Sequence, residues 1–160
     1  MLQDPILTLV NLLTANLSVT KDDGSTKANV LVTSAWYSDM MMNKFDALVT
    51  ITLVSDPVVI SGEGDSREDH TVTVDVNVWT EHKYDTTGNR VITDSIIQYK
   101  LVQAIDQIIA ANRSSMGNGI HRAKVAAVRP FDDPTQVPYP LRRRDMEVEL
   151  FIPTITSLAA

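Results

Sequence analysis

Near the start of the chain, Ile6, Leu9, Val10, Leu13 and Leu17 recur every three or four positions behind Asp4 and Pro5. An aspartate before a proline supplies an N-cap and a favoured first helical residue, so an amphipathic helix is predicted from residue 5 to about 16. Lys21, Asp22, Asp23, Gly24 and Ser25 join turn formers to a glycine that tolerates positive φ. The chain is expected to reverse there and enter a strand over about 28–37. The segment 45–55 then puts Ala47, Val49, Ile51 and Leu53 on one face and Leu48, Thr50, Thr52 and Val54 on the other. That is the pattern of a strand covered on both sides. Asp56 and Pro57 should end it, and residues 61–69, rich in glycine and charge without an apolar anchor, read as a mobile surface loop.

The cleanest alternation sets Val72, Val74, Val76 and Val78 against Thr71, Thr73, Asp75 and Asn77, which predicts a half-buried strand. After a polar turn at 85–89, Thr93 or Asp94 can cap a helix running to about Asn112, with Ile97, Leu101, Ala104, Ile105 and Ile108 as its apolar stripe. Gly117 and Gly119 stop that region, and a short strand is expected at 124–129. A loop stiffened by Pro130, Pro134, Pro138 and Pro140 follows. The last strand, 144–152, points Met146, Val148, Leu150 and Ile152 inward and Glu147 and Glu149 outward, and Pro153 is expected to end it.

The predicted order is α-β-β-β-α-β-β with short or turn-rich links. This favours an α+β fold, a mostly antiparallel sheet with two main helices packed on one face. No linker separates two self-sufficient apolar sets, so residues 1–160 are read as one domain with a flexible loop near 61–69 and a tail at 154–160. A chain of 160 residues is long enough for a real core, and 44% hydrophobic with 21% charged residues is a globular mixture.

Charge and chemistry narrow the function. A formal net charge of −6 gives no general attraction to nucleic-acid phosphates or anionic lipid. With no cysteine, disulfide staples and thiolate chemistry are excluded. The first residues lack the basic start of an export signal, and no apolar run reaches the ~20 residues that span a bilayer. His70, His82 and His121 show none of the spacing of a metal-binding helix. Glu81 and His82 are the best acid–base candidates, but neighbours on a strand point to opposite faces. The acidic loop lacks the ligand spacing of a calcium loop, and no serine sits in a nucleophile elbow. The expectation is a protein that is not an enzyme and needs no cofactor or metal.

Two runs remain as candidate interface residues. Met40, Met41 and Met42 lie in an expected connection between strands, where they either fold back onto the core or present an adaptable surface to a partner. Arg142, Arg143 and Arg144 can grip carboxylate or phosphate, or stand solvated or paired with nearby acids.

The element order, the strand Val74-Asp75-Val76-Asn77-Val78-Trp79-Thr80, the helix 94–112 and the strand Asp145-Met146-Glu147-Val148-Glu149-Leu150-Phe151-Ile152 resemble tail-terminator proteins of long-tailed bacteriophages and related archaeal tailed viruses. The likeness covers roughly residues 4–152. It implies a small α+β subunit that forms a ring, expected to be a hexamer, at the head-proximal end of a viral tail tube, ends tube growth and joins the tail to the head connector. The implied partners are further copies of the chain, the tail-tube protein and a head-completion or connector protein. DNA would pass through the lumen without specific binding and no membrane is involved. The implied location is the virion tail or neck, after assembly in the host cytoplasm. The family carries no catalytic residues to transfer, and the acidic loop, the proline-rich loop 130–140 and the tail 154–160 depart from its shorter members. A head-to-tail adaptor or a tail-tube subunit is the related alternative. A small enzyme built on Glu81, His82 or the acidic loop, and a monomeric binding module, are the alternatives from other classes.

Overall fold

The computed structural model describes residues 4–55, 58–61, 67–130 and 141–155. The first helix, α1 (Pro5–Asn16), forms as its cap predicts, with the Asp4 carboxylate accepting the Ile6 N–H at 2.9 Å and Leu9 and Leu13 fully buried. The turn after it is held by Asp23, which accepts the Ser25 and Thr26 N–H groups, while Gly24 takes a φ of 73°.

Strand β1 (Val30–Thr33) is shorter than expected, and a short helix α2 (Asp39–Lys44) occupies the connection to β2 (Ala47–Ser55). That connection carries the chain back to its starting end, so β1 and β2 pair in parallel, with Val30 opposite Ala47. Parallel neighbours require such a crossover, which the expectation of short antiparallel links did not allow for. The remaining pairs are antiparallel. Strand β3 (Val58–Ser61) and β2 both lie along one edge of β4 (Arg67–Thr80), and β8 (Arg142–Ile155) pairs with β4 along its whole length. With β7 (Arg122–Pro130) beyond β8, the main sheet runs β1-β2-β4-β8-β7. Strands β5 (Lys83–Tyr84) and β6 (Arg90–Ile92) form a small separate ribbon before α3 (Asp94–Ala111).

The α+β class is as predicted. Helices α1 and α3 cover one face of the sheet, α1 over β1 and β2 and α3 over β4, β7 and β8. The core joins Ile97, Leu101, Ile105 and Ile109 of α3 to Val72, Val74, Val76 and Val78 of β4 and to Met146, Val148 and Leu150 of β8. Each such buried aliphatic side chain contributes about 1.5–3 kcal/mol of transfer free energy. The predicted stripe residues Ala104 and Ile108 flank this row, partly buried.

Boundaries around the expected loop and tail differ from the expected ones. Ser61 closes β3 and Arg67–Asp69 belong to β4, paired on one side with β3 and on the other with β8. The expected loop 61–69 is therefore partly ladder, and its residues 62–66 lie outside the described residues. Strand β8 continues through Pro153, opposite Asp69, with Thr154 and Ile155 still paired. The β7 ladder ends at Arg122 opposite Phe151, so among the described residues Pro153 stands where β8 has a paired strand on one side only, the position at which a missing N–H is tolerated. Of the expected tail, 156–160 lie outside the described residues, as do 131–140 of the proline-rich loop. Among the described residues no helix is long and apolar enough to cross a membrane.

Candidate functional site

Strand alternation that buries the valines of β4 under α1 and α3 sends Asp75, Asn77 and Trp79 to the opposite face. Arg143, Asp145, Glu147 and Glu149 of β8 share that face, with Arg143 directly across from Trp79 and Asp145 across from Asn77. Trp36 and Tyr37, just after β1, come back over the same corner. The rings of Trp36 and Trp79 meet edge-on at 5.4 Å, and Tyr37 stacks on Trp79 at 4.7 Å. The Arg143 guanidinium lies 5.2 Å from the Trp36 ring and 5.1 Å from the Trp79 ring, within cation–π range of both.

Polar bonds fix this stack. The Trp79 Nε1–H donates to Thr50 Oγ1 at 3.0 Å, and Arg143 donates through Nε and Nη2 to Asn77 Oδ1 at 2.9 and 2.6 Å. The Tyr37 hydroxyl donates to Asp39 at 2.7 Å; burial first, and then this bond, push its pKa well above the ordinary tyrosine range. Trp79 is 3% exposed, whereas Trp36 is 51% exposed. Tryptophan, tyrosine and arginine, held in place before binding, are the side chains that dominate protein interfaces.

The six candidate interface residues are not one surface. Ser38 caps α2 by accepting the Met41 N–H at 3.2 Å, and this single turn divides the methionines. Met42 is 1% exposed and packs with Leu48, Trp79 and Leu141 in a second small core, Met41 lies against it, and Met40 is 69% exposed. Met42 and Met41 follow the core reading of this run, and Met40 alone of the three is left exposed. Alternation divides the arginines in the same way. Arg143 joins the aromatic stack, while Arg142 and Arg144 share the parity of Met146 and point to the helix-covered face. There Arg142 Nε donates to Asp94 at 3.1 Å.

Asp94, 5% exposed at the start of α3, also accepts the Ser95 N–H at 2.6 Å, and its own N–H donates to His82 Nδ1 at 3.1 Å. His82 Nε2 lies 3.8 Å from its carboxylate. Of the two expected caps, Thr93 takes the N-cap position without a side-chain bond into the helix, its hydroxyl and N–H both bonding Asp22 and tying the turn after α1 to the start of α3, while Asp94 supplies the bond to Ser95. Glu81 turns away to Lys83 at 2.8 Å, so Glu81 and His82 do not converge. His121 packs edge-on against Phe151. The His70 side chain lies outside the described ones. Among the described residues, no three His, Asp or Glu side chains are grouped to hold a metal ion.

Concavities lie elsewhere. A groove of about 400 Å³ runs between α3 and β7, lined by Tyr99, Val102, Gln103, Asp106 and the segment 125–128. A more polar hollow of about 620 Å³ lies beside Arg113, His121 and Lys124. Neither contains Glu81 or His82.

Sequence reasoning named Met40 and Arg143 but missed the aromatic residues between them. The available signal was Trp79, a large ring on the polar parity of an otherwise alternating strand, together with Trp36 and Tyr37 immediately after a short strand. Compared with known proteins, the chain matches no family model and no curated sequence.

Proposed function

We propose that this chain is a structural subunit that works by assembly, and that it serves as a tail terminator: a ring on the head-proximal end of a viral tail tube that ends tube growth and meets the head connector. The observation that carries the assembly reading is the Trp36–Arg143–Trp79 stack, held on the sheet face opposite α1 and α3, with Trp36 half exposed. Exposed Met40 follows Trp36 by four residues and adds adaptable apolar surface at the start of α2. Leu53 and Val54, both exposed near the end of β2, add more, and among the described residues the outer edges of β1 and β7 pair with no strand. Open edges and apolar patches are features that a closed ring covers. The terminator assignment itself rests on the resemblance of element order and strand texture. A neck adaptor or tube subunit uses the same kind of surface.

Light scattering and negative-stain imaging at rising protein concentration, alone and with tail tubes, test this reading. Rings are expected, sixfold for a terminator. Trp36→Ala combined with Met40→Ser is expected to weaken assembly at least tenfold while shifting stability by less than about 1 kcal/mol, since both side chains are largely exposed. A wild-type chain that stays monomeric and never binds tubes overturns the proposal.

A further inference from the structure

Beside the aromatic stack, the same sheet face holds four carboxyl groups, those of Asp75, Asp145, Glu147 and Glu149. Asp75 of β4 stands opposite Glu147 of β8, and Asp145 of β8 stands opposite Asn77 of β4 and Arg129 of β7. Arg129 bonds Glu147 and lies 3.9 Å from Asp145 Oδ2. Asp75 and Asp145 are thus diagonal neighbours across the β4–β8 ladder, and each has a buried Oδ1 that no donor among the described residues reaches. Two carboxylates only accept, so a proton on Asp75 is what lets it donate to Asp145. Among the described residues the other neighbours offer no substitute. Thr52 of β2, opposite Asp75, is neutral, Arg143 is turned to Asn77 and the tryptophans, and Lys124 is paired with Glu149 at 3.4 Å.

We propose that Asp75 and Asp145 form a proton-dependent latch across β4 and β8, and that losing its proton disturbs the neighbouring Arg143–Trp36–Trp79 stack. Deprotonation sets a second full charge against Asp145, directly across from the Asn77 that anchors Arg143. The guanidinium then has a stronger attraction toward the pair than it has in the folded neutral state, and its hold on the two rings loosens. The latch is a property of the isolated subunit and does not depend on what the subunit assembles with.

The sign follows from Asp75, which is pushed up from 3.8 to about 6, first by burial and then by the Asp145 charge. A carboxyl raised on folding adds stability that is complete below its unfolded value and is lost as pH rises through its folded value. The window is therefore about pH 4 to 6, with the proton gone at neutral pH.

Both tryptophans of the chain lie in the stack, so intrinsic fluorescence reports on it alone. Titrating the monomer from pH 4.5 to 8 is expected to give a transition with a midpoint near 6, matching the Asp75 value. Asp75→Asn, which supplies a permanent donor to Asp145, should abolish it, while His70→Gln, His82→Gln and His121→Gln together should leave it in place. A flat wild-type titration, or an unchanged one in Asp75→Asn, overturns the latch. Should that variant fail to fold, the wild-type urea midpoint decides: a fall from pH 4 to 6 supports the latch, and a rise overturns it. Failure to form rings would not touch these outcomes.

Discussion

Replacing Trp79 with alanine is expected to lower the unfolding free energy by about 4 kcal/mol, measured by urea denaturation followed by far-UV circular dichroism. The ring is almost wholly buried and is shared by two sets of contacts. It fills the small core of Met42, Leu48 and Leu141, and it carries Tyr37, Trp36 and Arg143 on its other sides. Truncation leaves a cavity in the first set and removes one of the two rings that hold the guanidinium in the second. It also takes away the donor to Thr50 Oγ1, a fully buried hydroxyl. Trp79→Phe restores most of the volume but not the N–H, and should cost about 1–2 kcal/mol. A loss below about 1.5 kcal/mol for the alanine variant would mean that the stack lies on the sheet without supporting it.

Asp94→Ala is expected to cost about 2 kcal/mol, read from thermal unfolding at neutral pH. The buried carboxylate serves the first free N–H of α3, the Arg142 guanidinium and, at longer range, His82. Buried charge pairs broken on one side have cost about 3–5 kcal/mol elsewhere, but Arg142 is about half exposed and can turn to water, so the smaller figure applies here. Asp94→Asn keeps an acceptor for Ser95 and should cost about half as much. If the salt bridge were the main contribution, half-molar salt would erase the difference between wild type and Asp94→Ala; the cap, being a short-range bond, should survive it.

The sequence carried most of the architecture because the largest elements are strongly periodic. Val72 to Val78 alternate with polar residues, and Ile97, Leu101 and Ile105 repeat at helical spacing, so burial in the fold follows their printed order. Pairing partners were not legible. Nothing local in Val30–Thr33 tells that strand to lie parallel to β2 rather than antiparallel, and the six-residue α2 that reverses the path is too short to show a period. Its cap was nonetheless present in Ser38, three residues before Met41. The candidate surface was legible by residue type but not by geometry. Three arginines in a row read as one cationic patch until the strand assigns alternate residues to opposite faces. The carboxyl pair was invisible for a related reason, since Asp75 and Asp145 are brought together only by the register of β4 with β8.

That same register shapes how the chain acquires its structure. Strand β4 forms the middle of the sheet, yet its second neighbour is synthesised between about 60 and 90 residues later. At roughly 5–20 residues per second of translation, one flank of β4 waits several seconds without its partner. Before β8 emerges the sheet can hold β1, β2, β3 and β4 with α1 over β1 and β2, but the apolar side of Val72–Val78 lacks β8 beside it. Closing the central ladder demands contacts of long sequence separation, which places folding on the slow side for a domain of this size. The sheet is complete only once β8 has docked, and until then the apolar side of β4 stays open to wrong contacts.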